Sequence, residues 1–474
     1  MDDNIMSVLK LLQEGTISAQ EAEMLIAALR GDGKPTPPPP PKPPQSPPPP
    51  PNEEKPRFGG FDKFKAPKFD FDDLGSKISN AIAKVQPEKI VRKVQAQLQD
   101  AVRAGAKLGN TFPARMWHWA EGADKRPEKP ESWHEKSEDQ ELTFHLENNA
   151  SITLENPIGN ISLKGAEGAT ANVKIHKKVW SAFTEDLEKT FKLIDLATHA
   201  TDTRLDLKVS VPENFFEGVV DIELEVPVGV SLRVSTHYGE VNVKGIGGRT
   251  EAVTTSGNLN LAELGGDARG ETVSGDAFLS NILGLVSIAT SSGEIHASDV
   301  RKGITAHAVS GDVHVSGVEG GTVECKSVSG DAHATNIGRE APLDITVESV
   351  SGDAHLSNAQ GIIRLKAVSG DIHAKSLTAT SLQAQTVSGD VDLQLDTSFS
   401  GVMQLNTVSG DLQVAMPEGS NLRITLGTSS GEMNCEHSAQ DVNATQTFWS
   451  GTLGTGAGTL NVQTISGNIH IKKP

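Results

Sequence analysis

The sequence predicts a mainly β protein, an elongated β-solenoid of about 12 rungs that follows a helical hairpin, a disordered linker and amphipathic helices. Three observations lead to this prediction: a tripeptide repeated at nearly constant spacing, alternating strands between its copies, and few large side chains. The tripeptide is Ser-Gly-Asp or a close variant, and its copies are 16 to 22 residues apart. They begin at Ser256, Ser274, Ser292, Ser310, Ser329, Ser351, Ser369, Ser388, Ser409, Ser430, Ser450 and Ser466.

Composition and charge restrict the core and the partners. Aromatic residues are only 4% of the 474 residues, which indicates a thin core of Val, Ile, Leu and Ala. The formal net charge is −18, and from residue 236 to the end there are 13 Lys/Arg against 25 Asp/Glu. Because proteins that bind nucleic acid present a basic face to its phosphates, we expect no nucleic-acid partner.

Residues 1–31 predict a helical hairpin. Gly15 ends a first apolar stripe, and Ser18 forms a capping box with Glu21 at the start of a second helix. Residues 32–57 predict a disordered Pro-rich linker, because they hold 14 of the 25 prolines and polyproline cannot join a core.

Residues 58–135 predict a basic amphipathic helical segment. Apolar stripes alternate there with lysine and arginine, and Trp117 and Trp119 follow. Such a segment suits an interfacial membrane anchor, so we expect residues 58–119 to be able to contact a membrane surface. Packing against a partner helix explains the same pattern equally well.

From residue 140 the polarity of the sequence alternates with period two, as it does in strands. Residues 140–235 predict a β entry or capping region, which a helix over residues 181–194 interrupts. Within this region the stretch ENPIGNISLKG looks like an early copy of the repeat. Residues 236–474 predict the Ser-Gly-Asp repeat β-solenoid itself.

One predicted rung consists of two strands of about six residues joined by two turns. Gly330 and its equivalents suit a corner that needs positive φ, and the flanking Ser and Asp can bond nearby backbone amides. The second corner varies in length and absorbs the differences in spacing. An antiparallel meander is the alternative, but it would form a very long open sheet. We expect Trp449 and the tail IHIKKP to cover the last strand.

Two stretches resemble known families. The run VPVGVSLRVSTHYGEVNVKGIGG and the repeats after it make residues 140–474 similar to the bacterial putative-adhesin β-strand-repeat family, a domain of unknown function. The segment LLQEGTISAQEAEMLIAAL resembles the SHOCT-like short helical domain. The combination resembles envelope-stress-associated proteins of Gram-positive bacteria. The resemblance implies no enzymatic activity and no catalytic residues.

Two columns of side chains mark a candidate site on the repeats. Histidines occupy five successive rungs, each two residues after the corner acid and on the outward side. Stacked imidazoles beside carboxylates could bind zinc or form a face that titrates near about pH 6, and a plain polar solvent face is the alternative. For the acids alone, turn formation is favoured over calcium, because the calcium β-roll nonapeptide is missing. The candidates are His296, His314, His333, His355 and His373 with Asp312, Asp331, Asp353 and Asp371.

Several enzyme motifs are missing, since the sequence contains no P-loop, HExxH or CxxC pattern. We therefore predict no catalytic residue and no cofactor. Cys325 and Cys435 lie about five rungs apart, roughly 24 Å at ~4.8 Å per rung, which is too far for a disulfide.

We predict a non-enzymatic β-solenoid interaction protein of the cell-envelope stress response or of adhesion, tethered by its helical N-terminal region to a membrane or a membrane regulator. Its expected partner is a protein or an envelope component. A polymer-forming, cytoskeleton-like homo-oligomer is the first alternative, and a polysaccharide-acting β-helix enzyme is the second. We expect neither a signal peptide nor a membrane span, because Met1-Asp2-Asp3 is not a basic start and no run of 18 apolar residues occurs. This favours the cytoplasm or the inner membrane face, with envelope exposure as the alternative.

Overall fold

The computed structural model describes residues 129–212 and 215–474. The predictions for residues 1–31, residues 32–57 and most of residues 58–135 lie outside this part of the chain. The described part is mainly β and winds into a β-solenoid of about 10 turns, which confirms the predicted fold class with slightly fewer rungs. None of its helices is long and apolar enough to cross a membrane.

The segment before the first Ser-Gly-Asp corner is already β-rich. The helix predicted over residues 181–194 is present in a shorter form, as a 3-10 turn at Thr184–Asp186 followed by helix α1 at Leu187–Phe191. The strands are β1 (His134–His145), β2 (Ser151–Ile158), β3 (Ile161–Ala166), β4 (Thr170–Ser181), β5 (Asp195–Thr201), β6 (Arg204–Ser210), β7 (Gly218–Pro227), β8 (Ser231–Tyr238) and β9 (Val241–Lys244).

The first half of the repeat region consists of regular rungs. Each rung places one strand before the Ser-Gly-Asp corner and one strand after it. The strands are β10 (Thr250–Ser256), β11 (Leu259–Leu264), β12 (Ala268–Ser274), β13 (Ala277–Ile282), β14 (Val286–Ser292), β15 (Ile295–Val300), β16 (Ile304–Ser310), β17 (Val313–Val318), β18 (Thr322–Ser329), β19 (Ala332–Ile337) and β20 (Leu343–Ser351).

The second half continues the rungs and ends in a different arrangement. Strands β21 and β22 are long enough to run from one side of the solenoid round the second corner to the other. The strands are β21 (Ala354–Lys366), β22 (Ile372–Gln385), β23 (Val391–Leu395), β24 (Val402–Asn406), β25 (Leu412–Ala415), β26 (Leu422–Gly427), β27 (Met433–Cys435), β28 (Gln440–Ala444), β29 (Phe448–Thr452), β30 (Gly458–Gln463) and β31 (Ile469–Lys472).

Strands before the corner pair in parallel with one another and form the first face, and strands after the corner form the second face in the same way. This register stacks equivalent residues of successive rungs. On the first face Ile288 lies between Gly270 and Ala306, inside the core. A Cβ at Gly270 would lie 2.4 Å from Ile288 Cδ1, so the glycine makes room for the isoleucine. Cys325 is buried one rung beyond Ala306, and it is a free thiol, as is Cys435.

The Ser-Gly-Asp corner is fixed by contacts between neighbouring rungs. Gly330 has a φ of 145°, and a Cβ on it would lie 2.5 Å from the carbonyl oxygen of Gly311. Glycine is the residue that tolerates both conditions. The same carbonyl accepts a hydrogen bond of 2.9 Å from Oγ of Ser327, in the rung of Gly330. The corner sequence is therefore explained by backbone geometry.

The second corner begins with a residue in the left-handed region of backbone conformation, which the sequence analysis did not predict. Asn, Asp and Gly adopt this conformation more readily than other residues, and they supply most of the positions. The residues, with φ between 51° and 66°, are Glu263, Asn281, Asp299, Gly317, Asn336, Asn358 and Ser376.

The outermost rungs are not the first and last rungs of the chain. Strand β2 lies between β6 and β8, and β3 lies between β7 and β9. At the other end, β30 lies between β24 and β26, and β31 lies between β25 and β27. The prediction that the tail IHIKKP covers the last strand is therefore wrong, because β31 in this tail is an inner strand.

Antiparallel strands cover outer edges at both ends of the stack. Strand β4 pairs with β7 and β1 pairs with β4, while β5 pairs with β6. Strand β29 pairs with β26, which places Trp449 in the cap as predicted. Ser450 also lies in β29, opposite Thr425, so this copy of the tripeptide forms no corner and its prediction as a repeat copy is wrong.

Candidate functional site

The predicted histidine column forms a row of stacked rings on the second face. Successive ring centroids are 4.9, 4.6, 4.4 and 5.2 Å apart, and neighbouring rings are within 18° of parallel. Phe278 extends the row by one rung, 5.3 Å from His296, and Asp392 occupies the equivalent position after the last histidine. We call the five imidazoles the histidine stack. Its members are His296, His314, His333, His355 and His373.

The stack follows from strand alternation and parallel register. Each histidine is flanked by inward residues, as His314 is by the buried Val313 and Val315. The alternation turns the imidazole outward, and parallel pairing places it directly beside the imidazole of the next rung. The side chains of His333 and His355 keep 33% and 32% of their surface exposed, so the stack is open to solvent along one edge.

The corner aspartates connect the backbone of one rung to the histidine stack. Oδ1 of Asp331 accepts the backbone N–H of Asp353 at 2.8 Å, and its Oδ2 lies 3.8 Å from Nε2 of His333. Asp353 repeats the arrangement, with a 2.7 Å bond from the N–H of Asp371 and 3.9 Å from Oδ2 to Nε2 of His355. Each corner bond therefore fixes one carboxylate oxygen and leaves the other facing an imidazole.

Burial lowers the pKa of three members of the stack. Desolvation is the largest cause for His314, His333 and His355, and neighbouring imidazoles lower each pKa further while nearby carboxylates oppose them. At pH 7 the neutral form of these three imidazoles is therefore favoured more than in an ordinary histidine. The pH range in which this part of the face would gain positive charge lies below the ordinary histidine pKa of 6.5.

The structure brings most of the predicted site residues into three groups. Within each group the ligand atoms all lie within 4.8 Å of one another. Asp312 is in none of them, and its Oδ1 accepts the backbone N–H of Asp331 at 2.8 Å. Glu294, which was not among the predicted candidates, joins the first group. The groups are Glu294, His296 and His314; Asp331, His333 and His355; and Asp353, Asp371 and His373.

A column of hydroxyl side chains runs beside the histidine stack, and sequence reasoning missed it. The signal is the recurring pattern His-x-Ser/Thr, as in HAS, HVS, HAT and HLS. An open groove of about 540 Å³ separates the two columns at Phe278, His296 and His314. The hydroxyl residues are Ser280, Ser298, Ser316, Thr335 and Ser357.

The first face carries a cluster of charged side chains that was also missed. Nζ of Lys326 lies 3.1 Å from Oε2 of Glu348, and Nζ of Lys366 lies 3.6 Å from Oε1 of the same carboxylate. Glu348 and Lys366 are nearly buried. Interactions with His307 and Lys326 lower the pKa of Glu324 to about 2 against the cost of its burial. The alternating signs indicate that the cluster stabilises the rungs.

One stretch has the spacing of a serine nucleophile motif. Residues Gly427–Gly431 read GTSSG, which fits the pattern G-x-S-x-G. They lie at the corner between β26 and β27, so a strand follows them where a nucleophile elbow has a helix. Thr428 Oγ1 donates to the carbonyl of Gly467, as other corner hydroxyls do. The stretch is a structural corner.

Two solved structures are similar to this chain at low identity. A putative cell adhesion protein from Clostridium sporogenes is 9% identical, and the match covers 71% of this chain and 100% of that one, with a TM-score of 0.14. A putative lipid binding protein from Parabacteroides distasonis is 12% identical, with 71% and 97% covered and a TM-score of 0.22. At these TM-scores the similarity supports no conclusion about a ligand. No curated protein matches the chain significantly.

Family models match both ends of the chain. The Toastrack DUF4097 model, a family of unknown function, matches residues 280–405 and 396–472. The SHOCT-like domain model matches residues 3–34. These matches confirm the resemblance to a β-repeat domain of unknown function preceded by a SHOCT-like domain. Residues 280–472 are thus similar to the Toastrack DUF4097 family, and residues 3–34 of the same chain are similar to a SHOCT-like domain.

Proposed function

We propose that this chain is a non-enzymatic interaction protein whose second face binds a protein partner or an envelope component. The histidine stack is the observation that carries the proposal. Its rings and that of Phe278 form one row with centroid spacings of 4.4 to 5.3 Å, beside a column of hydroxyls. Partly exposed rings with polar groups next to them supply apolar contact and hydrogen bonds together, which interfaces use for binding.

The shape of this face favours binding over catalysis. Successive rungs repeat the same side chains along an open groove, whereas an active site gathers a few different groups in a concave pocket. The polysaccharide-acting enzyme therefore has less support than the binding protein. The two family matches bear on neither reaction nor substrate.

We infer a role in the cell-envelope stress response or in adhesion. The pairing of a SHOCT-like domain with a Toastrack domain supports it, as does the basic amphipathic pattern at residues 58–119. In this proposal that segment tethers the solenoid to a membrane or to a membrane regulator. The solenoid then works in the cytoplasm or at the inner membrane face, with envelope exposure as the alternative.

The polymer-forming alternative has less support from the ends of the stack. End-to-end growth needs outer strands with free edges, and β4, β5 and β29 cover the outer edges of β7, β6 and β26. Among the outermost rung strands that the structure describes, the three-residue β27 is left with one partner, β31. The outermost N-terminal strand β1 is also rich in charged residues along HEKSEDQ. Charged edge strands discourage further strand addition.

Site-specific photo-crosslinking tests the binding face. A photoreactive residue replaces Ser298 on the second face, and the matched control replaces Ser287, a serine at an outward position of the first face. In cells that naturally make this protein, we expect discrete crosslinked products from position 298 and none from position 287. Identical products from both positions, or none from position 298, would contradict the proposal.

Liposome flotation tests the tether separately. The full chain is compared with a chain that begins at Lys129 and so retains all of β1. On vesicles with anionic lipid we expect the full chain to float and the shorter chain to stay in the dense fraction. Equal flotation of both chains would show that residues 58–119 are not the tether.

A further inference from the structure

We propose that the second face binds two divalent transition-metal ions of the Zn²⁺ class. Each ion takes one carboxylate and two imidazoles from two adjacent rungs. Unlike the proposed interaction surface, this inference requires no protein partner. The two ligand sets are Glu294, His296 and His314, and Asp331, His333 and His355.

The ligand atoms are already close to the spacing that a metal requires. In each set they lie within 4.8 Å of one another, and Nε2 of His296 is 2.9 Å from Oε2 of Glu294. Tetrahedral Zn²⁺ with bonds of about 2.0–2.1 Å keeps its ligands about 3.4 Å apart. The remaining distance is at most about 1.4 Å (4.8 Å less about 3.4 Å). Side-chain rotation can close it, because each imidazole has one open edge and its backbone need not move.

The corner bond orients the carboxylate of the second set. Oδ1 of Asp331 is held by the backbone N–H of Asp353 at 2.8 Å, which leaves Oδ2 on the side of His333. Metal ligands are commonly fixed in this way by hydrogen bonds to their other atoms. The fold therefore prepares the carboxylate for an ion before the ion binds.

The chemistry of the ligands selects the class of metal. Imidazole nitrogen suits Zn²⁺, Cu²⁺ and Ni²⁺, whereas Ca²⁺ and Mg²⁺ take mostly oxygen ligands. Two nitrogens and one oxygen leave at least one coordination position for water. The negative charges of the corner carboxylates, such as Asp312, Asp331 and Asp353, also favour a cation on this face.

The spacing of the rungs sets the number of ions at two. The two ligand sets are two rungs apart, roughly 10 Å at ~4.8 Å per rung, which exceeds the screening length of about 8 Å at physiological salt. The third group, Asp353, Asp371 and His373, offers a single imidazole. It also starts on the rung of His355, so an ion there would lie about 5 Å from the second ion.

Calorimetric titration of the metal-free full chain with ZnCl₂ at neutral pH tests the proposal. The variants are His296→Asn and His333→Asn, since Asn242 and Asn260 occupy the same column in earlier rungs. The control is His199→Asn, an exposed histidine on β5. We expect each stack variant to lose one Zn²⁺ per chain, or to weaken that site at least about tenfold, and the control to bind as the parent does.

Three further checks separate loss of the metal site from loss of the fold. Far-UV circular dichroism establishes that each variant is folded, and Asp331→Asn, which keeps the corner acceptor but not the charge, is expected to weaken only the second site. Replacement of Zn²⁺ by Co²⁺ should give visible absorption that falls by about half in each stack variant. Unchanged stoichiometry and affinity in both stack variants, or an equal loss in His199→Asn, would overturn the proposal.

Discussion

Oδ1 of Asp331 accepts the backbone N–H of Asp353, one rung further on, at 2.8 Å. In an earlier rung, Oδ1 of Asn258 accepts the backbone N–H of Asp276 in the same way, at 2.9 Å. Among the described residues, the longer side chains of Glu240 and Glu294 do not make it. The position therefore requires an oxygen at the length of an Asp or Asn side chain, and the negative charge is not needed for the corner.

Asp331→Asn should leave rung stability nearly unchanged, and Asp331→Glu should lower it although the charge remains. We expect a loss of about 1 kcal/mol for one hydrogen bond, which corresponds to about fivefold faster amide exchange at Asp353 if that amide exchanges by local opening. Native-state hydrogen exchange measures this rate. Faster exchange in Asp331→Asn than in Asp331→Glu would show that charge, not length, is what the corner needs.

Gly330→Ala should destabilise the solenoid more than Gly168→Ala does. Both glycines have positive φ, 145° and 119°, but a Cβ at Gly330 would meet the Gly311 carbonyl at 2.5 Å, whereas Gly168 has open space around it. An alanine held at such a positive φ costs about 1–3 kcal/mol. At Gly330 the clash of the new Cβ with the Gly311 carbonyl adds to this cost. Urea unfolding of the two variants gives the difference. Equal losses in the free energy of unfolding would mean that the Gly311 carbonyl moves away from the new Cβ without a measurable cost.

The parts of the fold that depend on one residue type could be predicted from the sequence. Gly330 and its equivalents identified the corner, and a constant offset of two residues from that corner placed the histidines in one row. The left-handed residue of the second corner escaped prediction because that position holds residues as different as Glu263, Asp299 and Ser376. In those rungs the conformation comes from the pairing of neighbours and not from the local residue.

The order of the end rungs could not be predicted from the sequence either. Leu412 pairs with Ile469, and Met433 pairs with the same Ile469 from the other side. All three are apolar residues of similar volume, so several rung orders would fill the core equally well. The histidines and three of the aspartates of the three groups were predicted as candidates, whereas Glu294, which occupies the corner-acid position of its rung, was not among the predicted ligands.

The contribution of the charged cluster on the first face to stability should decrease within a specific pH range. The pKa of Glu324 is about 2 in the folded chain because of His307 and Lys326, against 4.5 without these contacts. Its contribution to stability is therefore complete above about pH 4.5 and is lost as the pH falls towards about 2. In urea unfolding between pH 7 and pH 2.5, Glu324→Gln should show a smaller loss than the parent.

The control for this series is Glu340→Gln, which changes an exposed glutamate in the loop before β20. Its pH profile should run parallel to that of the parent. If Glu324→Gln and Glu340→Gln give the same profile, the interactions with His307 and Lys326 do not stabilise the folded chain.

The two cysteines should react with a thiol reagent at very different rates. Cys325 is fully buried, with Sγ 3.6 Å from the carbonyl oxygen of Val313, and burial raises its pKa strongly. Cys435 is half-buried on the end strand β27. Ellman's reagent should give a fast phase that Cys435→Ser removes and a slow phase that needs a rung to open. A fast phase that survives in Cys435→Ser would contradict the burial of Cys325.

Leu460→Ala and Leu426→Ala should reveal which rung is internal. Both leucines are fully buried, and each truncation should cost about 2–5 kcal/mol. Leu460 belongs to β30, which pairs with β24 on one side and with β26 on the other. Just after β24, the backbone N–H of Thr407 donates to the carbonyl oxygen of Gln463, the last residue of β30, at 3.0 Å. Leu460→Ala should therefore speed hydrogen exchange at Thr407, whereas Leu426→Ala should affect β26 and its cap. If Leu426→Ala exposes Thr407 more than Leu460→Ala does, the rungs follow the order of the chain and β30 is terminal.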